Sequence, residues 1–262
     1  MMEALLYAIP SWLLFLFIVG GSVGLVWLAT VLLRRVTTAP KDDRHNEVVG
    51  FIFATVGVLY AVLLAFTVII VWEQYLGAES AVSQEGTALI TVARTVSSFP
   101  EPERGQVYDH LRAYAQFVVN EEWRTMDEST LEQEESTGAL AAINSIWSTY
   151  RSLPPSQVDA YTTESLDNLS TQRALRLQSN AAALPIALWF GLVLGAMVTI
   201  SFCLILHMEN VQLHVAVTAL LTALIATSIW MIVMINHPFS GDLHVSTTAF
   251  EHAIHVIDSL PR

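Results

Sequence analysis

Long apolar runs alternate with polar connections along the 262-residue chain. Four segments contain no Asp, Glu, Lys or Arg, namely residues 8–33, 48–72, 183–206 and 211–235. Each is longer than the roughly 20 residues that an α-helix needs to cross a hydrocarbon core. The pattern predicts an all-α integral membrane protein with four transmembrane helices. The first segment has no basic residue before it and is too long for a signal-peptide core, so we interpret it as a retained span.

The region between the second and third spans also has helical periodicity. Apolar residues recur at steps of three and four, and no alternating strand pattern of useful length interrupts them. The proline-containing stretches "SFPEPE" (98–103) and "RSLPPS" (151–156) divide the region. We predict that residues 74–182 form a helical bundle whose first and last helices are continuous with spans two and three. The full division is 1–73, 74–182, 183–236 and a tail, 237–262, with a short amphipathic helix.

The stretch "WEQYLGAESAVSQEG" (72–86) shows how span two continues beyond its apolar part. A heptad seam follows it, with a and d positions at Tyr75, Ala78, Val82, Glu85, Leu89, Val92, Val96 and Phe99. Glu85 is the one carboxylate on this seam, and a buried carboxylate requires a partner. Counting helical rise from the membrane ends places Glu85 level with Arg173 and Glu79 level with Arg176. We therefore predict the ion pairs Glu85–Arg173 and Glu79–Arg176; the alternative, separately solvated charges, is stronger for Glu79 than for Glu85.

Basic residues near the spans predict the orientation of the chain. The 34–47 connection contains Arg34, Arg35, Lys41 and Arg44, whereas the N-terminus before the first span contains none. Because basic loops stay in the cytoplasm, this connection is expected there. The N-terminus, residues 74–182 and the C-terminus are then extracytoplasmic, in a multi-pass protein of the inner cell membrane.

Charge and small residues limit the partners. Residues 74–182 contain fifteen acidic residues and seven arginines, a net charge of −8. This charge disfavours nucleic acid and either keeps an exposed domain soluble or attracts cations. Two pairs have GxxxG spacing, Gly20 with Gly24 and Gly191 with Gly195, which lets helices pack closely within one chain or between protomers. The expected partners are the lipid bilayer, further copies of the chain in a homo-oligomer, and inorganic ions.

No motif in the sequence indicates catalysis. There is no HExxH, GxSxG, phosphate-binding glycine loop or CxxC. His252 and His255 are spaced i, i+3, but a zinc site requires three or four converging ligands. We therefore expect no enzyme activity, no cofactor and no metal site.

The second span is the candidate pore helix. Its polar residues are Thr55, Tyr60 and Thr67, and Phe66 shares a face with Glu73, seven residues later. In an oligomer, a ring of Phe66 would constrict the pathway and a ring of Glu73 would attract cations. Basic residues of the 34–47 connection would instead favour anions at the other end. An interfacial carboxylate in the aromatic belt is the alternative interpretation of Glu73.

A turn follows the fourth span. In "HPFSG" (237–241), Pro238 fixes the backbone and Gly241 permits a positive φ, with Phe239 between them. The turn either shapes the outer mouth of a pore or only ends the helix.

Four stretches of the sequence resemble a known family. They are "NEVVGFIFATVGVLYAVLLAFTVIIVWEQY", the following "A...V.QEGTAL...AR", "LDNLSTQRALRLQSNAAALPIALWFGLVLGA" and "NHPFSGDLHVSTTAF". In their order and spacing they resemble the bestrophin-like membrane proteins of bacteria, an uncharacterised family with a domain of unknown function. The resemblance implies a distant relation to bestrophins, which are oligomeric anion channels with four membrane helices. The bestrophin calcium-binding loop is absent here, so calcium gating is not implied.

Two functions are consistent with these features. The first is an oligomeric ion channel or pore in which span two lines the pathway. The second is a non-conducting membrane scaffold or sensor whose extracytoplasmic bundle binds a partner. Polar residues facing a shared axis in an oligomer would favour the first, and a fully apolar monomeric bundle would favour the second.

Overall fold

The structure is a computed structural model of the single chain, and it describes residues 9–36, 43–127, 137–206 and 208–261. All regular elements in these ranges are helices. The residues form two compact units. We call residues 74–182 with 237–261 the helical unit, and residues 9–73 with 183–236 the membrane unit.

Four helices are long and apolar enough to cross a membrane, as predicted. The first span consists of α1 (Ser11–Phe15), a π-helical turn (Leu16–Gly20) and α2 (Gly21–Val36). The second lies in α3 (Asp43–Thr95), the third is α8 (Ile186–Ile205) and the fourth is α9 (Val211–Ile235). The all-α membrane fold predicted from the sequence is therefore confirmed.

Helix α3 runs without interruption from the second span into the helical unit, over 53 residues. On the other side, α7 (Ala160–Ala181) and α8 are successive helices separated by residues 182–185. Pro185 explains the interruption, because it has no N–H to donate to the carbonyl of Ala181 and disfavours helical backbone in the residue before it. The backbone of Ala182, directly after α7, is extended, with φ −76° and ψ 102°.

The helical unit contains the outer part of α3 and further helical segments. They are α4 (Glu103–Phe117), a π-helical turn (Val118–Glu122), α5 (Trp123–Asp127), α6 (Thr137–Ser152), α7, and α10 (Thr248–Ser259). The predicted heptad seam is buried from Ala78 to Phe99; its last two positions follow the end of α3, Val96 in a 3₁₀ turn (Val96–Ser98) and Phe99 directly after that turn. The C-terminal helix α10 packs on this core through Phe250, Ala253 and Ile257.

The backbone of α3 is closely approached at Gly86. A Cβ there would lie 2.9 Å from both the Cβ and the carbonyl oxygen of Ala249, so no larger residue fits without a shift. The tail helix is thereby seated directly on the α3 extension. The apolar face predicted for this tail contacts the bundle core.

Spans two, three and four pack together inside the membrane unit. The ring of Tyr60 lies against Gly195, where a Cβ would be 2.4 Å from the ring, and Ile225 of α9 completes the contact. The first span packs along α9, with Phe15 edge-on to Trp230 at 5.2 Å. Small residues in α8 therefore serve close packing within the chain.

Candidate functional site

Four charged side chains meet inside the helical unit. Glu85 comes from α3, Glu122 from the end of the π-helical turn, and Arg173 and Arg176 from α7. All four are buried, and Glu85 and Arg176 are completely inaccessible to solvent. Two carboxylates balance two guanidinium groups, so the group is electrically neutral as a whole. We call these four residues the charge cluster.

The charge cluster is a continuous chain of ion pairs. Arg176 Nε donates to Glu85 Oε2 at 2.7 Å, and Arg176 Nη2 donates to Glu122 Oε2 at 2.5 Å. The other oxygen of Glu122, Oε1, accepts from Arg173 Nη2 at 2.6 Å. Arg176 thus bridges both carboxylates, and Glu122 bridges both arginines.

Neutral groups complete the surroundings of the cluster. The hydroxyl of Tyr114 donates to Glu85 Oε1 at 2.5 Å, and Arg176 Nη1 contacts the sulfur of Met126 at 3.0 Å. The guanidinium of Arg176 also lies 5.9 Å from the ring centre of Trp123 and 5.7 Å from that of Phe250. Aromatic faces attract a desolvated cation, so both rings favour the charged arginine.

The surroundings raise the pKa values of both Tyr114 and Arg176. Burial raises the pKa of Tyr114 well above its ordinary value, and the adjacent carboxylate of Glu85 raises it further. For Arg176, burial acts to lower the pKa, but attraction to Glu85 and Glu122 outweighs it and the net pKa is raised. Tyr114 therefore remains a neutral donor and Arg176 remains a cation.

The ion pairs predicted from the sequence had the wrong partners. Glu85 pairs with Arg176 rather than Arg173, and Glu79 is exposed on the surface of α3. The prediction assumed a continuous helix from Arg173 into the third span. Residues 182–185 are not helical, and an extended residue advances the chain by about 3.3 Å instead of about 1.5 Å. Counting residues from the membrane ends therefore did not give the relative heights of these side chains inside the helical unit.

Glu122 was not selected from the sequence, although a signal was present. Val107, Leu111 and Tyr114 form the apolar face of α4, Val118 continues it into the π-helical turn, and a further step of four reaches Glu122. A carboxylate that continues an apolar face is the same anomaly that singled out Glu85. The π-helical turn could not be foreseen; it adds a residue to the turn and orients Glu122 toward α7.

One face of span two is exposed in the single chain. Thr55, Leu59, Val62, Phe66, Ile69 and Glu73 follow one another at steps of three and four and are all exposed. At 100° per residue they lie within about 40° of a common line along the helix. We call these six residues the span-two stripe. It contains three of the predicted pore residues: Thr55, Phe66 and Glu73.

The other two predicted pore residues lie on a different face of the helix. Tyr60 is buried against Gly195, and Thr67 is buried with its hydroxyl donating to the Leu63 carbonyl at 2.8 Å. Residues 60 and 67 are seven apart and so share a face of the helix, on which Tyr60 packs with Ala196 and Ile225 of the neighbouring spans. Tyr60 and Thr67 are therefore packing residues in the chain, and the five predicted pore residues do not form one surface.

The turn after the fourth span packs into the helical unit. Phe239 is buried, and its ring lies edge-on to Trp123 with centroids 5.4 Å apart. Gly241 has φ 75°, and the carbonyl of Pro238 accepts from the N–H of Val245 at 2.8 Å. The hydroxyl of Ser240 donates to the carbonyl of Met126 at 3.2 Å. The predicted outer-mouth residue Phe239 is therefore a core residue beside the charge cluster.

Side chains that commonly bind metals are dispersed. Within the described ranges, no group of three or more His, Cys, Asp or Glu residues is placed to hold a metal ion. His252 and His255 are exposed on α10. In the charge cluster, arginine side chains occupy the space between the carboxylates where a metal ion would need to lie. The cluster is therefore an ion-pair network.

The fold and these two features define the class of the protein: a four-span helical membrane protein whose second and third spans lead into a helical unit with a buried charge cluster. Comparison with protein families then identifies it more closely. A model of the Bestrophin-like domain matches residues 20–250, and the chain belongs to this family. Comparison with curated proteins finds no match.

Solved structures have the same fold. A crystal structure of a bacterial bestrophin homologue from Klebsiella pneumoniae, carrying a mutation, matches with TM-score 0.71 at 11% identity, over 93% of this chain and 97% of that chain. Another structure of a bacterial bestrophin homologue from Klebsiella pneumoniae matches with TM-score 0.67 at 13% identity, over 94% and 99%. A crystal structure described as a membrane protein gives TM-score 0.66 at 14% identity, again over 94% and 99%. Identities this low establish the fold alone.

Proposed function

We propose that the protein is an oligomeric ion channel in which the span-two stripe lines the pathway. The exposure of Phe66 carries this proposal: 63% of its surface is accessible in the single chain, midway along a stripe that ends in Glu73. Thr55 lies near the other end of the same line. In an oligomer, this stripe would present a hydrophobic constriction and a charged ring along one axis. Membership of the bestrophin-like family supports a channel.

The ion selectivity of such a channel depends on which charged ring dominates. Glu73 would attract cations at one end, and basic residues of the 34–47 connection would attract anions at the other. We place that connection in the cytoplasm and the helical unit outside, because basic loops are retained on the cytoplasmic side. Residues 37–42 of the connection lie outside the part of the chain that the structure describes.

The test is reconstitution of the purified protein in planar bilayers under a salt gradient. Phe66→Ala is expected to raise the conductance, because it shortens the side chain at the constriction. Phe190→Ala is the matched control, since Phe190 is comparably exposed at 68% but lies on the third span. Glu73→Gln is expected to lower the preference for cations, measured as a shift of the reversal potential toward that of anions.

Two results would refute the channel proposal. A stable monomer without conductance in either gradient direction would favour the non-conducting scaffold or sensor. Equal conductances for Phe66→Ala, Phe190→Ala and the unmodified protein would show that the span-two stripe does not line the pathway, even if the protein conducts.

A further inference from the structure

The charge cluster lies where three chain segments from the spans come together. Glu85 belongs to the continuation of span two, Arg176 lies shortly before span three, and Phe239 shortly follows span four. Within the helical unit, Trp123 connects them, since its ring contacts both Arg176 and Phe239. A buried ion-pair network costs desolvation energy that apolar residues would avoid, and its best-attested use is to select one register of helix packing. The cluster is therefore expected to fix the register of α7 against α3.

The two arginines make a second register available to α7. Arg173 and Arg176 are three residues apart. If α7 moved toward its C-terminal end by the length of three residues, and turned by the matching helical rotation, Arg173 would occupy the position that Arg176 holds now. Arg173 would then pair with Glu85, and Arg176 would move toward the exposed Glu79. Glu85–Arg173 and Glu79–Arg176 are the two ion pairs that the helical rise predicted from the sequence. The two registers are related by a displacement of about 4.5 Å, close to one helical turn.

In the observed register, one donor of the four charge-cluster residues is unsatisfied. Arg176 uses its Nε in the bond to Glu85, whereas the buried Nε of Arg173 has no hydrogen-bond partner. In the advanced register, Arg173 would gain the Nε bond to Glu85. On the C-terminal side of α7, residues 182–185 are non-helical and Ala182 is extended, so an advance of α7 would shorten this connection without unwinding a helix; the Leu184 N–H in it donates to Asn236 Oδ1 at 3.0 Å.

Glu122 is the residue that decides between the registers. In the observed register, Glu85 and Glu122 are balanced by two buried arginines. In the advanced register, Arg176 leaves the core and the same two carboxylates face Arg173 alone, which leaves a net buried charge of −1. An uncompensated buried charge is strongly unfavourable, so the complete cluster holds α7 where it is observed. If Glu122 carried no charge, the observed register would have a net buried charge of +1, and the advanced register would be neutral.

We propose that α7 is a two-position element, that its positions differ by one helical turn along α3, and that Glu122 selects the observed position. One-turn displacements of packed helices are an established form of conformational switch. This proposal goes beyond ion conduction and does not depend on it. Within the switch, Glu122 is a positioning residue, since it acts on α7 through Arg173 and Arg176.

Two double variants with the same net charge test the proposal. Glu122→Gln with Arg173→Gln leaves the pair Glu85–Arg176, and α7 is expected to keep the observed register. Glu122→Gln with Arg176→Gln leaves Glu85 and Arg173, which pair directly only after α7 advances. Leu166 would then occupy the position of Leu169, and the regained pairing of the buried charges outweighs the reduced apolar packing at the position that Leu166 vacates.

Distances between spin labels report the register in the full-length protein. With Cys203→Ser as background, one label pair is placed at Arg94 and Gln178 and the other at Ser80 and Asp167. All four positions are exposed and lie in the helical unit. The separation of the two labelled residues along the helix axes changes when α7 advances by three residues. For the first pair it increases from about 16 to about 21 Å, and for the second pair it decreases from about 21 to about 16 Å. Swelling or loosening of the bundle would lengthen both distances.

The expected result is opposite shifts of about 4 Å for the two label pairs in the Arg176→Gln double variant, for helix axes about 10 Å apart. The Arg173→Gln double variant should keep the unmodified distances. The proposal is overturned if both double variants keep those distances, or if both pairs lengthen together. It is equally overturned if the Arg176→Gln double variant fails to fold while its partner folds, because the advanced register should accommodate it.

Discussion

The sharpest stability prediction concerns removal of the central cation of the charge cluster. Arg176→Met keeps a long, flexible side chain and removes the charge. It leaves Glu85 and Glu122 buried without the guanidinium that bridges them at 2.7 and 2.5 Å. Glu85 keeps the Tyr114 hydroxyl and Glu122 keeps Arg173, but the four-membered neutral cluster becomes a three-membered one with an excess negative charge.

The size of the effect follows from burial. Removing one partner of a buried ion pair costs about 3–5 kcal/mol, because the remaining charge is uncompensated in a medium of low dielectric constant. A loss of 1 kcal/mol lowers the midpoint of thermal unfolding by roughly 2–4 °C in a protein of this size class. We therefore expect Arg176→Met to unfold about 6–20 °C below the unmodified protein.

The assay is circular dichroism of the purified protein in detergent, with one scan rate for all variants. Arg112→Met is the matched control: Arg112 pairs with Asp258 and Asp109, but these groups are partly exposed. Exposed pairs contribute about 0–1 kcal/mol, so the control should change the midpoint by less than about 4 °C. Equal midpoints for Arg176→Met and Arg112→Met would refute the reasoning that the cluster is an interdependent buried network.

Two further predictions concern packing and pH. Gly195→Ala places a Cβ 2.4 Å from the ring of Tyr60, so we expect it to lower the free energy of unfolding by about 1–3 kcal/mol, measured by thermal unfolding. The added substitution Tyr60→Leu should restore most of this stability. No recovery in the double variant would contradict the contact. Tyr114 has a folded-state pKa above its unfolded value of about 10, because of burial first and Glu85 second. The contribution of Tyr114 to folding stability is therefore fully present below about pH 10, and it is lost as the pH rises through the folded-state pKa. Unfolding midpoints measured against pH should fall less steeply above pH 10 in Tyr114→Phe than in the unmodified protein, and identical slopes would contradict this assignment.

The membrane helices and the seam of α3 were predictable because each depends on local sequence. An uncharged run longer than a bilayer crossing can be read directly from the residues. The heptad seam continued past Trp72 without a Pro and with Glu85 as its one charged residue, so the rigid extension of span two could be expected before any tertiary contact was known. Glu85 stood out for the same reason, as a carboxylate in an apolar position.

The partners of Glu85 depended on geometry that residue counting does not contain. Residues 182–185 are not helical, so counting residues along a continuous helix does not give the height at which Arg176, rather than Arg173, meets Glu85. The π-helical turn that ends at Glu122 contains an extra residue, which rotates the following side chains about the helix axis. The direction of the Glu122 side chain therefore could not be predicted from the periodicity of α4 alone.

The second span shows the same division between local and tertiary information. Its length, its polar residues and the shared face of Phe66 and Glu73 follow from the sequence and the helical period. Which face is buried was decided by the close approach of Tyr60 to Gly195, a contact between residues 135 positions apart in the chain. The sequence by itself thus determined the helices and their unusual charges. Tertiary structure alone decided which charges meet and which face of the candidate pore helix stays open, because both depend on how far each helix is rotated and advanced against its neighbours.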